Sequence, residues 1–316
     1  FEDGESATVD EIGVDPYTGE ILGGRLWGDI SQGWTNVMPF LLLLHYQLAI
    51  GTVGTLAFGI IALLWTLDCF VGAYLTFPGR RRAHDENATA RRGFGSRWLP
   101  AWRVRWKGGA YKLNFDLHRA SGLWFWAVLF VFAWSSVGMN LAPIYNPVMN
   151  LFFEHQSVLD ARDSGRASGE IMDWPAALAT GERLIARAAR EEGFAVIRPD
   201  RIGFNPEARI FQYSVRSDRD MVLDWGGTTV YFDAVTGEAL GLYLPSGKAA
   251  GDTVTNWLYA LHFGAAWGWW FRVFITVMGV AVAVLSVTGV VIWFRKRRAR
   301  GFRRVAPSAA SRVHLP

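Results

Sequence analysis

Residues 273–294 read VFITVMGVAVAVLSVTGVVIWF and are followed at once by Arg295-Lys296-Arg297-Arg298. Such a run, with no Asp, Glu, Lys or Arg, makes a helix of about 33 Å at about 1.5 Å per residue, enough to cross a hydrocarbon core of about 30 Å. The basic cluster that closes it has the composition of a segment retained on the cytoplasmic side. Working outward, Ala120 to Ala142 is a second uncharged run and Ile30 to Leu67 a third, longer one. The longest carries Pro39 and His45 ahead of a Gly-spaced apolar stretch. It predicts an interfacial helix from about Asn36 feeding one span from about Ile50 to Phe77, which makes three spans in all. Composition agrees: of 316 residues 51% are hydrophobic and only 19% charged, where soluble domains sit near a quarter charged. The single cysteine, Cys69, excludes an internal disulfide framework and a Cys-cluster metal site. Metal chemistry therefore falls to the histidines.

The charged segments alternate. Residues 1–35 hold eight acids against Arg25 alone, the 78–112 loop has ten basic residues against Asp85 and Glu86, and the tail from Arg295 has eight bases and no acid. By the positive-inside rule the 78–112 loop and the 295–316 tail are cytoplasmic, while 1–35 and 143–256 face outward. Both basic blocks abut spans, so they read as topology signals and not as a nucleic-acid surface. The chain thus divides into the end of a first outward domain (1–35), an interfacial helix and span (36–77), a basic loop (78–112), a span (113–142), an outward region (143–256), an interfacial helix and span (257–294) and a basic tail (295–316).

The chain also repeats itself. Asp15-Pro16-Tyr17-Thr18-Gly19-Glu20 recurs as Asp233-Ala234-Val235-Thr236-Gly237-Glu238, 218 residues on; Leu44-His45 recurs as Leu261-His262 and Gly72 as Gly289, each 217 residues on. An Arg cluster ends both spans. Self-similarity at several landmarks indicates two copies of a unit made of hairpin, His, span and basic stop. The second copy also has a front end, Leu117-His118-Arg119 opening a span. Its counterpart would lie ahead of Phe1, so a further N-terminal span, four in all, and the rest of an outward domain are expected in the native protein.

Between Ser168 and Leu244 the pattern is α+β. Trp174 to Glu192 is helical, with Leu178, Leu184, Ile185, Ala188 and Ala189 at helical spacing and Gly193 as a stop. Strand-like runs follow at 201–204, 209–215 and 228–232, then a tight turn at Thr236-Gly237. The order of span, small α+β domain ending in Asp-x-x-Thr-Gly-Glu, Leu-His and span, in two copies, resembles the PepSY-associated transmembrane family. The nearest matches are 65–72 (Trp-Thr-Leu-Asp-Cys-Phe-Val-Gly), 114–119 (Asn-Phe-Asp-Leu-His-Arg) and Thr288-Gly289 with Trp293. They look like the iron-regulated inner-membrane members, which include haem-containing ferric-siderophore reductases. The resemblance implies an α-helical membrane protein of the bacterial inner membrane with periplasmic PepSY-like domains. It covers essentially the whole chain and departs from the family in lacking the first span.

A haem in a helical bundle needs two axial nitrogens from facing helices at similar depth. His45 and His262 hold equivalent repeat positions, each just before an outward-starting span and each followed by glycines. They read as a bis-histidine site for haem b, against the alternative of two interfacial histidines bonded to water or backbone. The resemblance implies that His118, at the opposite face, ligates a second haem with a histidine of the absent first span. His155 reads as an exposed loop residue or an electron-exit residue; His84 and His314 sit in polar, basic contexts. Asp68, the single acid inside a span, reads either as a structural ion pair or as a proton or propionate group. Cys69 reads as packing, and the Trp clusters 98/102/106 and 267/269/270 as interfacial belts. Arg119 and Arg272 flank spans, where snorkelling or a propionate contact are both open.

The function expected is that of a haem b electron carrier, a membrane oxidoreductase taking electrons from a quinol or a reductase on the cytoplasmic side to a periplasmic acceptor. By resemblance that acceptor is a ferric-siderophore or similar chelate. The alternative is a membrane-anchored PepSY protein that binds or regulates a periplasmic partner without haem. A transporter would need several charges within its spans or broken helices, and Asp68 alone does not supply them.

Overall fold

The computed structural model describes residues 9–79, 93–107, 109–157 and 168–305, and His84 and His314 lie outside them. Among the described residues the chain divides into two compact units, Phe1–Trp65 with Ser136–Val148, and Thr66–Ser135 with Met149–Pro316.

The first unit opens with the antiparallel hairpin of β1 (Glu11–Val14) and β2 (Ile21–Arg25). Arg25 ties it down, pairing with Glu11 at 2.6 Å and donating to the Thr35 carbonyl at 3.0 Å. Helix α1 (Val37–Gln47) follows and stops where Leu48 and Ala49 turn left-handed at φ 54° and 55°. Gly51, at φ 66°, completes the reversal into α2 (Thr52–Leu75). At Gly59 a Cβ would come within 3.0 Å of the Leu141 side chain and 3.1 Å of the Asn140 carbonyl. A residue without a side chain is what lets two apolar helices approach so closely.

In the second unit, α3 (Phe94–Trp98) and the 3-10 turn Leu99–Trp102 bring an aromatic ladder against the end of α2. Phe77 meets Phe94 at 5.6 Å and Trp98 at 5.2 Å, and Trp98 donates to the Thr76 hydroxyl at 2.9 Å. Helices α4 (Ala110–Trp124) and α5 (Trp126–Asn140) occupy the second uncharged run, and α6 (Ala142–Asn150) continues the chain. The run does not form the straight span its length suggests, because it bends by 70° at Phe125. Ser121 bonds back to the Leu117 carbonyl at 2.6 Å, a contact that loosens a helix. On either side of the break, Trp124 donates to the Trp102 carbonyl and Trp126 to the Cys69 carbonyl, which pulls the two halves toward different neighbours.

The α+β domain is a helix on a four-stranded antiparallel meander. Helix α7 (Trp174–Glu192) starts at Asp173, whose carboxylate accepts from the Ala176 amide at 2.9 Å, and ends at Gly193 in the left-handed region. Strands β3 (Val196–Asn205), β4 (Ile210–Ser217), β5 (Thr228–Asp233) and β6 (Ala239–Tyr243) follow in spatial order. Ala177 and Ile185 pack on Phe211, Tyr213, Val215, Val230 and Phe232, all buried. Gly181 makes this packing possible: a Cβ there would sit 2.6 Å from that of Tyr213. The chain then enters α8 (Ala250–His262) and the long α9 (Trp269–Val305). Two helices, α2 and the 269–299 stretch of α9, are long and apolar enough to cross a membrane, and three crossings result if the bent pair α4–α5 is one span.

Candidate functional site

The repeat is reproduced in the backbone bonding of the two turns. Asp15 Oδ1 accepts from the amides of Tyr17 (2.7 Å) and Thr18 (3.0 Å); Asp233 Oδ1 accepts from those of Val235 and Thr236, both at 2.8 Å. Gly19 and Gly237 each donate to the carbonyl of their own Asp, at 2.9 and 3.0 Å, and stand at φ 74° and 72°. Gly51 and Gly268, 217 residues apart, are both at positive φ at the mouths of α2 and α9. The turns are hairpin closures: Asx-type bonding with glycine in the left-handed region accounts for every residue in them.

His262 is the last residue of α8. Its Nδ1 lies 2.7 Å from the hydroxyl of Ser135, a fully buried side chain on α5. The Ser135 hydroxyl also lies 2.6 Å from the Val131 carbonyl and 3.1 Å from that of Phe132, and its one proton serves one of these neighbours. With the proton on a carbonyl, the Ser135 oxygen accepts from Nδ1–H and the imidazole lone pair is on Nε2. Phe132, at 5.3 Å, and Phe263, at 5.8 Å, stand edge-on to the ring.

His118, on α4, is held in the same way from a different helix. Its Nδ1 lies 3.0 Å from the Thr288 hydroxyl on α9, whose proton is donated to the Val284 carbonyl at 2.8 Å. With the Thr288 proton on a carbonyl, the hydroxyl accepts from Nδ1–H and Nε2 is the basic nitrogen. The ring rests on Gly289, where a Cβ would come within 3.1 Å of Cε1, and Asn114 donates to the Thr288 carbonyl at 3.4 Å. Thr288 stands 19 residues beyond Trp269, the first residue of α9, which is about 28 Å along the helix at about 1.5 Å per residue. His262 precedes that first residue. The two hydroxyl-held imidazoles thus lie at separate sites, one against α9 at Thr288 and one at the end of α8.

His45 lies in the last turn of α1, in the first unit, and is exposed. The other sequence candidates fall elsewhere. His155 is not an exposed loop residue: it is half-buried against Gly251, with Nδ1 shielded and without a hydrogen-bond partner. Asp68 is exposed on α2 and makes no hydrogen bond or ion pair among the described residues, while Cys69 is buried as packing. Arg119 and Arg272 are both in ion pairs. Arg119 joins Arg105 on the fully buried Asp116, at 3.0 and 2.6 Å, and Arg272 pairs with Asp224. Among the described residues no three His, Cys, Asp or Glu side chains gather as a metal cage. Ser135 and Asp224 were not legible as functional from the sequence, since their partners lie 127 and 48 residues away. The one local signal for Ser135 is a hydroxyl pair, Ser135-Ser136, inside an otherwise apolar run.

A family model for the PepSY-associated TM region matches residues 2–296. The chain belongs to the PepSY-associated transmembrane family. Its membership and its apolar helices make it a membrane protein. No curated protein matches the chain.

Proposed function

We propose that this PepSY-associated protein is a haem b electron carrier of the bacterial inner membrane, with its α+β domain on the periplasmic side and its basic loop and tail in the cytoplasm. The observation that carries the reading is the pair of imidazoles, His118 and His262, each with Nδ1 held beside a helix hydroxyl that is itself within bonding distance of a backbone carbonyl. A metal-ligating histidine characteristically spends its other ring N–H on such an acceptor, which fixes its tautomer and orientation. The donor chemistry and the glycine beneath His118 fit haem. His262 would share one haem with His45, its repeat counterpart, and His118 would ligate the other.

A bound haem would supply one-electron exchange between ferric and ferrous iron. The chain's own residues do the rest. Thr288 and Ser135 would hold the rings, and Phe132 packs edge-on beside His262. The electron donor would be a quinol or a reductase, and the acceptor a ferric-siderophore or other ferric chelate. A dithionite-reduced minus oxidised spectrum of the native protein, with a pyridine haemochromogen count, tests this. Two haems are expected, one lost with His45→Ala or His262→Ala and the other with His118→Ala. A colourless protein grown with ample haem would overturn the reading and leave a regulatory, partner-binding role for the α+β domain.

A further inference from the structure

The connection between β4 and β5, residues 218–227, is a rigid loop. Asp220 sits at its centre and accepts from the Ser217 amide (2.8 Å) and hydroxyl (3.0 Å), the Gly227 amide (2.5 Å) and the Thr228 hydroxyl (2.9 Å). The loop is fastened to the start of α9. The Leu223 amide donates to the Ala265 carbonyl at 3.1 Å, and Met221 and Val222 pack with Ala260, Ala265, Ala266 and Phe271. Arg272 closes on the Asp224 carboxylate at 2.5 and 2.6 Å. Arg272 is the last charge before the apolar run of α9, so Asp224 is held at the depth where that helix enters the bilayer.

On either side of Asp224, Leu223 and Trp225 are left 38% and 36% exposed. Trp225 stands 5.7 Å from the exposed ring of Phe263, and the same end of α9 presents Trp267, Trp269 and Trp270, each more than half exposed. Arg272 and Asp224 neutralise each other among these uncharged side chains. Apolar side chains flanking a pinned ion pair and continuous with the Trp cluster at a span mouth match the headgroup layer, where amphipathic rings are favoured. We infer that the α+β domain is docked on the bilayer surface, with Leu223 and Trp225 seated in the headgroup layer and the Asp224–Arg272 pair as the clamp. The occupant of this face is lipid, not a protein partner. The inference is independent of haem.

Two measurements on the full chain in lipid nanodiscs test it. In a Cys69→Ser background, nitroxide labels are placed by Leu223→Cys, Trp225→Cys and, as an aqueous control on the β3–β4 turn, Glu207→Cys. Labels at 223 and 225 should favour collision with oxygen over a nickel chelate several-fold relative to the label at 207, and Asp224→Ala should lower that ratio at 223. Equal nickel accessibility at 223 and 207 would overturn the docking. Protection of position 223 from both reagents would overturn it too, by showing a protein interface. Should the labelled variants fail to fold, wild-type protein in nanodiscs with photoactivatable lipid gives the second reading: lipid adducts on residues 221–225 and not on 205–209 are expected, and the reverse would refute the proposal.

Discussion

The two hairpins of the repeat share the backbone bonds of their turns and meet opposite fates. In the second copy β5 lies between β4 and β6 under α7, and Val230 and Phe232 are 3% and 0% exposed. At the matching positions of the first copy, Ile12 and Val14 are 63% and 50% exposed, and β1 pairs only with β2 among the described residues. Turn chemistry alone therefore closes a hairpin, and burial is supplied separately by the strand and helix that pack on it. A two-stranded hairpin by itself is at best marginal in water. In this chain it is held by side-chain bonds at its base, Arg25 to Glu11 and to the Thr35 carbonyl, in place of a core.

The largest difference should appear on truncating the matched apolar residues. Phe232→Ala is expected to cost about 3–5 kcal/mol, the range for emptying a buried aromatic site, and Val14→Ala no more than about 0.5 kcal/mol, as for an exposed side chain. Denaturant-dependent proteolysis of the full chain reads both. Equal losses would mean that the first hairpin is covered in the native protein as the second is.

Next comes Tyr243 on β6, whose repeat counterpart is Arg25. Burial pushes its hydroxyl up to about 12, against the opposing pull of the Asn256 amide that donates to it at 2.6 Å, and Asp252 adds to the rise. An unfolded tyrosine releases its proton near 10. Between pH 10 and 12 the unfolded chain therefore loses a proton that the folded chain keeps, and stability falls as pH rises through that window. The full effect is about 3 kcal/mol. Tyr243→Phe should flatten the alkaline limb of a stability–pH curve, and an unchanged limb in the variant would assign it to other groups.

The matched glycines of the spans sharpen the comparison further. Gly289 lies under the His118 ring, while a Cβ on Gly72 would meet nothing within 4 Å. Gly289→Val should force the ring from Thr288 and cost about 1–3 kcal/mol by overpacking, with loss of whatever spectral signal depends on His118. Gly72→Val should leave both unchanged, and similar effects at the two sites would show that Gly72 also packs against a partner.

What the sequence made legible follows from the range of the forces involved. Helix α7 could be read residue by residue because its signals are local: period, Asp173 ahead of it and Gly193 after it. The Asp-x-x-Thr-Gly-Glu turns were legible for the same reason. The bend at Phe125 was not, since no proline sits there and the cause lies in the distant acceptors Trp102 and Cys69. Symmetry pointed to the histidines, but not to the hydroxyls that fix their tautomers. Those bonds join helices 127 and 170 residues apart, and neither leaves a mark on local pattern.

The smallest effect separates the turns themselves. Asp15 is fully exposed, and the amides of Tyr17 and Thr18 hold its carboxyl below the ordinary range of 3.8. Its ionised form is favoured by the fold, so the contribution is complete above pH 3.8 and is lost as pH falls through the lowered value. Solvent screening keeps that contribution slight at an exposed site. Amide shifts of Tyr17 and Thr18 followed by NMR on acidification should therefore move together, at a pH below that of an isolated aspartate, while global stability hardly changes. Asp15→Ala should erase the joint titration without unfolding α1. If those amides instead followed an unperturbed aspartate, the first turn would not be formed in solution, and the likeness of the two hairpins would rest on their sequence alone.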